Sequence, residues 1–267
     1  MADLFEFAVK RNVRVVLARI RAKTNVAFDK VARLIGRRHI GESQMSIYGV
    51  PMVSNFGDKT FRYCLYGTYG KHLSSYLDAI DRDFVFIDIG ANQGLFTLIA
   101  GRNPHCRKLI ALEPVERTFE FLQANVELNR IDEDTTLLNA ALSDSSGTAE
   151  IALKPHHSGV ASIADREKLE RWESETITLM TAAELDAIIP MEGDIVVKVD
   201  VEGHEPVVIA QLLKSAHIAR ISGIFYEMDE RWADAGKIRT MLEEAGFSRF
   251  TKFGIRRHYD MLAERAS

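Results

Sequence analysis

Residues Val85 to Gly94 read VFIDIGANQG, and an amphipathic stretch opens at Leu95. Six residues from Phe84 to Ile89 are apolar but for Asp88, a pattern expected of a strand buried on both faces. Gly90 lets the chain turn tightly, and Gly94 permits close approach of a ligand or a neighbouring helix. The helix from Leu95 presents unpaired N–H groups to whatever lies above the strand end. A strand, a glycine turn and a helix in this order form the ligand-binding corner of an open parallel sheet.

Working outward, strand and helix patterns alternate. Lys108 to Leu112 reads as the second strand, Arg117 to Asn129 as an amphipathic helix and Thr136 to Ala141 as the third strand. Ile195 to Asp200 and Ile221 to Glu227 continue the series. A helix over Ile238 to Ala245 is stopped by Gly246, and strands at Phe247 to Phe253 and His258 to Leu262 close it. Alternation of this kind predicts one doubly wound α/β domain with helices on both faces of the sheet. Thr148 to Leu153 and Thr176 to Leu179 interrupt it, flanking a loop with His156, His157, Ser158 and Gly159. Upstream, Tyr48 to Tyr69 reads as short strands and turns and Lys71 to Ile80 as a helix. The expected division is an N-terminal segment over 1–70 and the main domain over 71–267.

The chain has 267 residues, 46% of them hydrophobic, enough for one substantial core. A net charge of -4 argues against nucleic acid as partner. Residues 1–40 hold ten Lys or Arg against three acids, interleaved with apolar positions (Phe5, Val9, Val13, Val16, Leu17, Ile20) at helical spacing. That excess suits peripheral contact with an anionic membrane surface. The same basic residues break up any secretory leader, and Cys64 and Cys106 are too few for a disulfide framework. The expected location is therefore cytoplasmic.

Glu113 closes the second strand nineteen residues after Gly94, where a carboxylate can accept both hydroxyls of a ribose. Such a pair serves NAD or S-adenosylmethionine. The loop lacks the G-x-G-x-x-G spacing that pyrophosphate needs, and Asp88 beside it would repel phosphate but attract the ammonium of a sulfonium amino acid. S-adenosylmethionine is therefore the expected cofactor. Asn139 to Asp144 (NAALSD) ends the third strand, with Ala140 and Ala141 leaving room for an adenine ring.

Lys198 to Pro206 (KVDVEGHEP) carries the densest set of ionisable groups. If the chain stays extended, Lys198, Asp200 and Glu202 share one side. A buried Lys198 requires a carboxylate partner, Asp200 or Asp88. His204, Glu205 and Pro206 open the next helix. Glu227, at the end of the neighbouring strand, is placed to orient His204 or to bind a hydroxyl. Asp200, His204 and Glu227 lack a recognisable metal-ligand spacing, so no metal is expected.

The combination DIGANQG, LEP (Leu112 to Pro114), NAALSD, KVDVEGHE and YEM (Tyr226 to Met228) resembles the FkbM family of methyltransferases over roughly residues 66–250. That resemblance implies a Rossmann-like class I methyltransferase that moves a methyl group from S-adenosylmethionine to a hydroxyl, usually of a sugar or polyketide. The expected cofactor set is Asp88, Gly90, Ala91, Asn92, Gly94, Glu113, Pro114, Ala140 and Ala141. The expected catalytic set is Lys198, Asp200, Glu202, His204 and Glu227, with His204 or Asp200 as base. A cofactor-binding module without catalysis and an NAD enzyme are the competing readings. His156 and His157 are expected at the solvent surface, and Trp172 and Trp232 as half-buried packing or as platforms for a sugar.

Overall fold

The computed structural model describes residues 43–159, 161–162 and 172–266. The helices expected within residues 3–36 lie outside the described residues. The described chain opens with a hairpin of β1 (Ser43–Met45) and β2 (Pro51–Val53), then helices α1 (Lys59–Tyr66) and α2 (Lys71–Asp78). Strand β3 (Phe84–Ile89) leads through the glycine turn into α3 (Leu95–Arg102), followed by β4 (Cys106–Leu112), α4 (Glu116–Asn129) and β5 (Thr135–Leu138). After an inserted segment come β10 (Asp194–Val199), α6 (Glu205–Leu212), β11 (Ile221–Asp229), α7 (Ala235–Glu244), β12 (Phe247–Phe253) and β13 (His258–Arg265).

These strands form a seven-stranded sheet in the order β12-β13-β11-β10-β3-β4-β5. Pairings from β11 through β5 are parallel, and β13 runs antiparallel to both β11 and β12. All six residues of β3 are buried. Alternation sends Phe84 and Phe86 into the core beneath α2, α3 and α4, and Val85, Ile87 and Ile89 into the core beneath α6 and α7. Each such side chain contributes roughly 1.5–3 kcal/mol on burial. Chain order reverses between β3 and β10, so the carboxyl ends of these two strands open a crevice, the place where ligands bind in open α/β sheets.

Two readings of the sequence are corrected here. The stretch read as strands and turns to Tyr69 contains α1, whose start is fixed by Asp58: its Oδ1 accepts the Phe61 N–H at 2.9 Å. A cap of this kind is worth about 1 kcal/mol. The third strand breaks at Asn139, whose amide donates to the Glu113 and Pro114 carbonyls at 3.0 Å each. Beyond that break, β6 (Ala141–Leu142) leaves the main sheet. It joins β7 (Gly147–Leu153), β8 (Ala161–Ser162) and β9 (Glu173–Met180) in a second, four-stranded sheet, so the interrupting segment is itself built of strands. The short α5 (Ala182–Asp186) returns the chain to β10, started by a capping box between Thr181 and Glu184.

Candidate active site

A cavity of about 340 Å³ sits over the crevice between β3 and β10. Its floor is the glycine turn, where the Gly90 and Ala91 N–H groups both donate to the Leu112 carbonyl, at 3.0 and 2.8 Å. Gly90 adopts φ +75°, and a Cβ there would lie 1.9 Å from the Asp200 carbonyl oxygen. Asn92 also holds a left-handed conformation, φ 52°, which a short amide side chain tolerates.

Glu113 lines the cavity beside this turn. Its Oε2 accepts the Asn92 N–H at 2.9 Å and its Oε1 the Val115 N–H at 3.1 Å. Four lone-pair positions on a carboxylate leave capacity for two ribose hydroxyls. Burial pushes its pKa up to about 7, against the pull of the two N–H groups and Lys198. Pro114, Ala140 and Ala141 line the same cavity.

Asp88 and Gly94 have other work. Asp88 is wholly buried: Lys198 Nζ stands 3.1 Å from its Oδ1, and the Thr97 N–H and Oγ1 donate to its Oδ2 at 3.1 and 2.7 Å. It lies beneath the cavity floor rather than on it, because alternation along β3 turns it toward α3. At Gly94 a Cβ would come within 2.6 Å of Leu122, so this glycine serves the packing of α4.

Lys198 is the brace of the site. Besides Asp88 it faces Asp200 Oδ2 at 3.9 Å, and its ammonium donates to the Gly90 carbonyl. Burial alone would lower its pKa, but the two carboxylates outweigh burial and hold it above the usual lysine value. It stays charged and ties the glycine turn to the end of β10.

Beyond Val199 the chain does not stay extended. Glu202 takes φ 52° and Gly203 φ 103°, and Glu205 secures the turn by accepting N–H groups of Val201 and Gly203. Carboxylate oxygens of Asp200, Glu202 and Glu227 consequently converge within 4.8 Å of one another. Such a spacing suits shared protons or hydrogen-bonded hydroxyls. Burial, reinforced by Asp200 and Glu227, raises the Glu202 pKa to about 9, and burial and Asp200 raise that of Glu227.

His204 does not join this group. It lines the same cavity, but its Nε2 meets Ser143 Oγ at 3.2 Å, and burial lowers its pKa. The sequence-based pairing of Glu227 with His204 is corrected accordingly: Glu227 Oε1 is held by His258 Nε2 at 3.1 Å.

Several residues in or beside the cavity escaped sequence reasoning. Tyr69, between α1 and α2, donates its phenol to Asp200 Oδ2. Asp58 caps α1 and also accepts Gln93 Nε2 at 3.1 Å and the Ser158 N–H at 2.8 Å, so one carboxylate fastens α1 and the 156–159 loop to the glycine turn. His157, expected at the surface, lines the cavity against Tyr63, whereas His156 is exposed. Cys64 lines it from α1, its thiol pushed up to about 12 by burial and thus unreactive. Trp172 is half-buried beneath Lys154, and Trp232 is exposed beside Arg231. Asp58 and His258 had recognisable residue types, but their partners are distant in sequence and no local pattern marks them.

A sheet of this order, with its cavity at the carboxyl ends of the central parallel strands, defines a Rossmann-like α/β fold with a ligand crevice. The family model described as the methyltransferase FkbM domain matches residues 88–249, and the chain belongs to this family of methyltransferases. Among curated proteins it is similar to methyltransferase sdnD of Sordaria araneosa, 26% identical in an alignment of 191 positions that covers 60% of this chain and 72% of that protein. It is also similar to methyltransferase 1 of Beauveria bassiana, 24% identical in an alignment of 182 positions that covers 62% of this chain and 73% of that protein. Among solved structures, a precorrin-6Y C5,15-methyltransferase from Geobacter metallireducens superposes with TM-score 0.42 and 13% identity, over 73% of this chain and 87% of that one.

Proposed function

We propose that this methyltransferase uses S-adenosylmethionine and methylates a hydroxyl oxygen, that of a sugar in a glycolipid, polysaccharide or glycosylated metabolite. One observation carries the reading: a single cavity is lined both by Glu113 with the glycine turn and by the Asp200, Glu202 and Glu227 carboxylates. The first group suits a ribose and an adenine between Ala140, Ala141 and Pro114. The second suits a polyhydroxylated acceptor, because converging carboxylates accept hydrogen bonds from adjacent hydroxyls and can take up a proton. S-adenosylmethionine supplies an already activated methyl group. The residues of the chain therefore align oxygen, carbon and sulfur and remove the hydroxyl proton, without a covalent enzyme intermediate.

Calorimetry with S-adenosylmethionine, its demethylated product and NAD tests the cofactor. Methyl-labelled S-adenosylmethionine with nucleotide sugars, glycolipids and simple phenols tests the acceptor. Preference for NAD, or label transfer only to nitrogen or carbon, overturns the reading. We also propose that basic residues 1–40 bring the enzyme to an anionic membrane surface. The contact proposed is peripheral, and no helix among the described residues is long and apolar enough to cross a membrane. Equal co-sedimentation of the full chain with anionic and neutral vesicles at low salt counts against it.

A further inference from the structure

Antiparallel pairing of β11 with β13 sets Glu227 opposite Asp260 and Asp229 opposite His258. Side chains alternate between the faces of a strand, so all four stand on one face, with His258 directly across from Asp229 and diagonal to Glu227. Its Nε2 is 3.1 Å from Glu227 Oε1 and its Nδ1 is 3.5 Å from Asp229 Oδ2. Both ring nitrogens thus meet carboxylates, an environment that holds the ring as imidazolium, and its pKa rises to about 9 mainly through the Glu227 bond. His258 and Glu227 both line the cavity.

The other ionisable groups facing this corner are committed elsewhere. On β10 and the turn after it, Lys198 braces Asp88 and the Gly90 carbonyl, and Asp200 Oδ2 receives Tyr69 from the α1–α2 linker. Glu205 of α6 is taken by backbone N–H groups, and His204 is turned to Ser143. Glu202 and Asp260 are carboxylates that burial pushes up, to about 9 and about 6. Glu227 alone of the converging acids has an imidazolium in hydrogen-bond contact, among the described residues.

We propose that Glu227 accepts the proton of the acceptor hydroxyl and that His258 is the positioning residue that orients Glu227 and keeps it ionised. This assignment rests on the methyl-transfer reading above. The hydroxyl oxygen forms the new bond to the methyl carbon, the carbon–sulfur pair stays on sulfur and neutralises the sulfonium, and the hydroxyl proton passes to the Glu227 carboxylate. His258 keeps its own protons throughout and balances the charge of Glu227 before transfer.

The test has two arms on the full chain. In the first, the His258 ring is titrated by NMR without acceptor. Its pKa stands well above that of a free imidazole and drops by at least about one unit in Glu227→Gln. An unmoved His258 titration overturns the pairing whatever the acceptor. In the second, label transfer from S-adenosylmethionine is followed in single turnover, on a member of the sugar, glycolipid and phenol panel that the wild type methylates. Glu227→Gln slows the step by roughly 10² to 10⁴ while S-adenosylmethionine affinity holds within about twofold. His258→Asn moves the acidic limb of the rate profile to higher pH, because loss of the neighbouring cation makes Glu227 harder to ionise, and His258→Lys restores part of the shift. A near-normal rate in Glu227→Gln, or an unmoved acidic limb in His258→Asn, overturns the assignment. A wild type that binds S-adenosylmethionine but methylates no panel member overturns the acceptor class, and the catalytic half of the proposal with it.

Discussion

Lys198 and Asp88 are register partners on adjacent strands β10 and β3, and their side chains meet in the sheet with the ammonium 3.1 Å from the carboxylate. Neither charge reaches water, since the side chains are 4% and 1% exposed. An isolated charge in that position is strongly disfavoured, so each residue makes the other possible.

Removing one member should therefore be far worse than removing both. Lys198→Met is expected to destabilise the fold by about 3–5 kcal/mol, and Lys198→Met combined with Asp88→Leu by clearly less than the sum of the single changes. Urea denaturation of the full set measures it. Additive losses would show that the two residues act independently.

Glu113→Ala should weaken S-adenosylmethionine binding by on the order of 2–4 kcal/mol, through loss of two charge-assisted hydrogen bonds. The pH dependence sharpens the prediction. Without ligand the Glu113 carboxyl is pushed up to about 7 by burial, and ribose hydroxyls bind its ionised form. Binding should release a proton near pH 7, with affinity rising from pH 6 to 8. Calorimetry in buffers of different ionisation enthalpy reads this directly, and equal heats across buffers would rule out Glu113 as the linked group.

Two glycines of the turns after β3 and β10 should behave differently. Gly90→Ala puts a Cβ against the Asp200 carbonyl at 1.9 Å and forces β3 and β10 apart, whereas a Cβ at Gly203 meets nothing within 4 Å. Both positions have positive φ, so both substitutions incur roughly 1 kcal/mol of backbone strain, but only Gly90→Ala adds a collision. Its thermal stability and cofactor affinity should fall well below those of Gly203→Ala. Equal effects would mean that the turn yields at no cost.

Burial raises the pKa of Glu113 to about 7, Glu202 to about 9 and Asp260 to about 6, and the Glu227 bond raises that of His258 to about 9. A group raised above its unfolded value stabilises the fold below the unfolded pKa and ceases to do so as pH rises through the folded pKa. All four shifts act in the same direction. The melting temperature of the unliganded protein should therefore fall with rising pH, by on the order of 5–10 °C between pH 6 and pH 9. A flat profile from calorimetric scans over that range would show that these carboxyls are solvated.

Much of the fold is legible locally. The alternation from Phe84 to Phe253 follows from hydrophobic period, and Gly90, Gly246 and the acid at Glu113 mark turns and strand ends by their own chemistry. Failures came where an interaction distant in sequence overrides local pattern. Asp58 makes a helix start of a stretch rich in strand formers because its carboxylate also finds Gln93 and Ser158. The third strand ends early because the Asn139 amide is captured by the Glu113 and Pro114 carbonyls.

The site divides along the same line. Sequence alone determined which strand ends carry ionisable groups, because period-two alternation and glycine spacing are properties of neighbouring residues. Only tertiary structure decided which of those groups meet. Strand register put Asp88 beneath the floor with Lys198, the left-handed turn at Glu202 separated His204 from the acids, and the antiparallel return of β13 set His258 on Glu227. Hydrogen bonds and ion pairs act over a few ångströms, and residues such as Glu227 and His258 come within that range only after the sheet has closed.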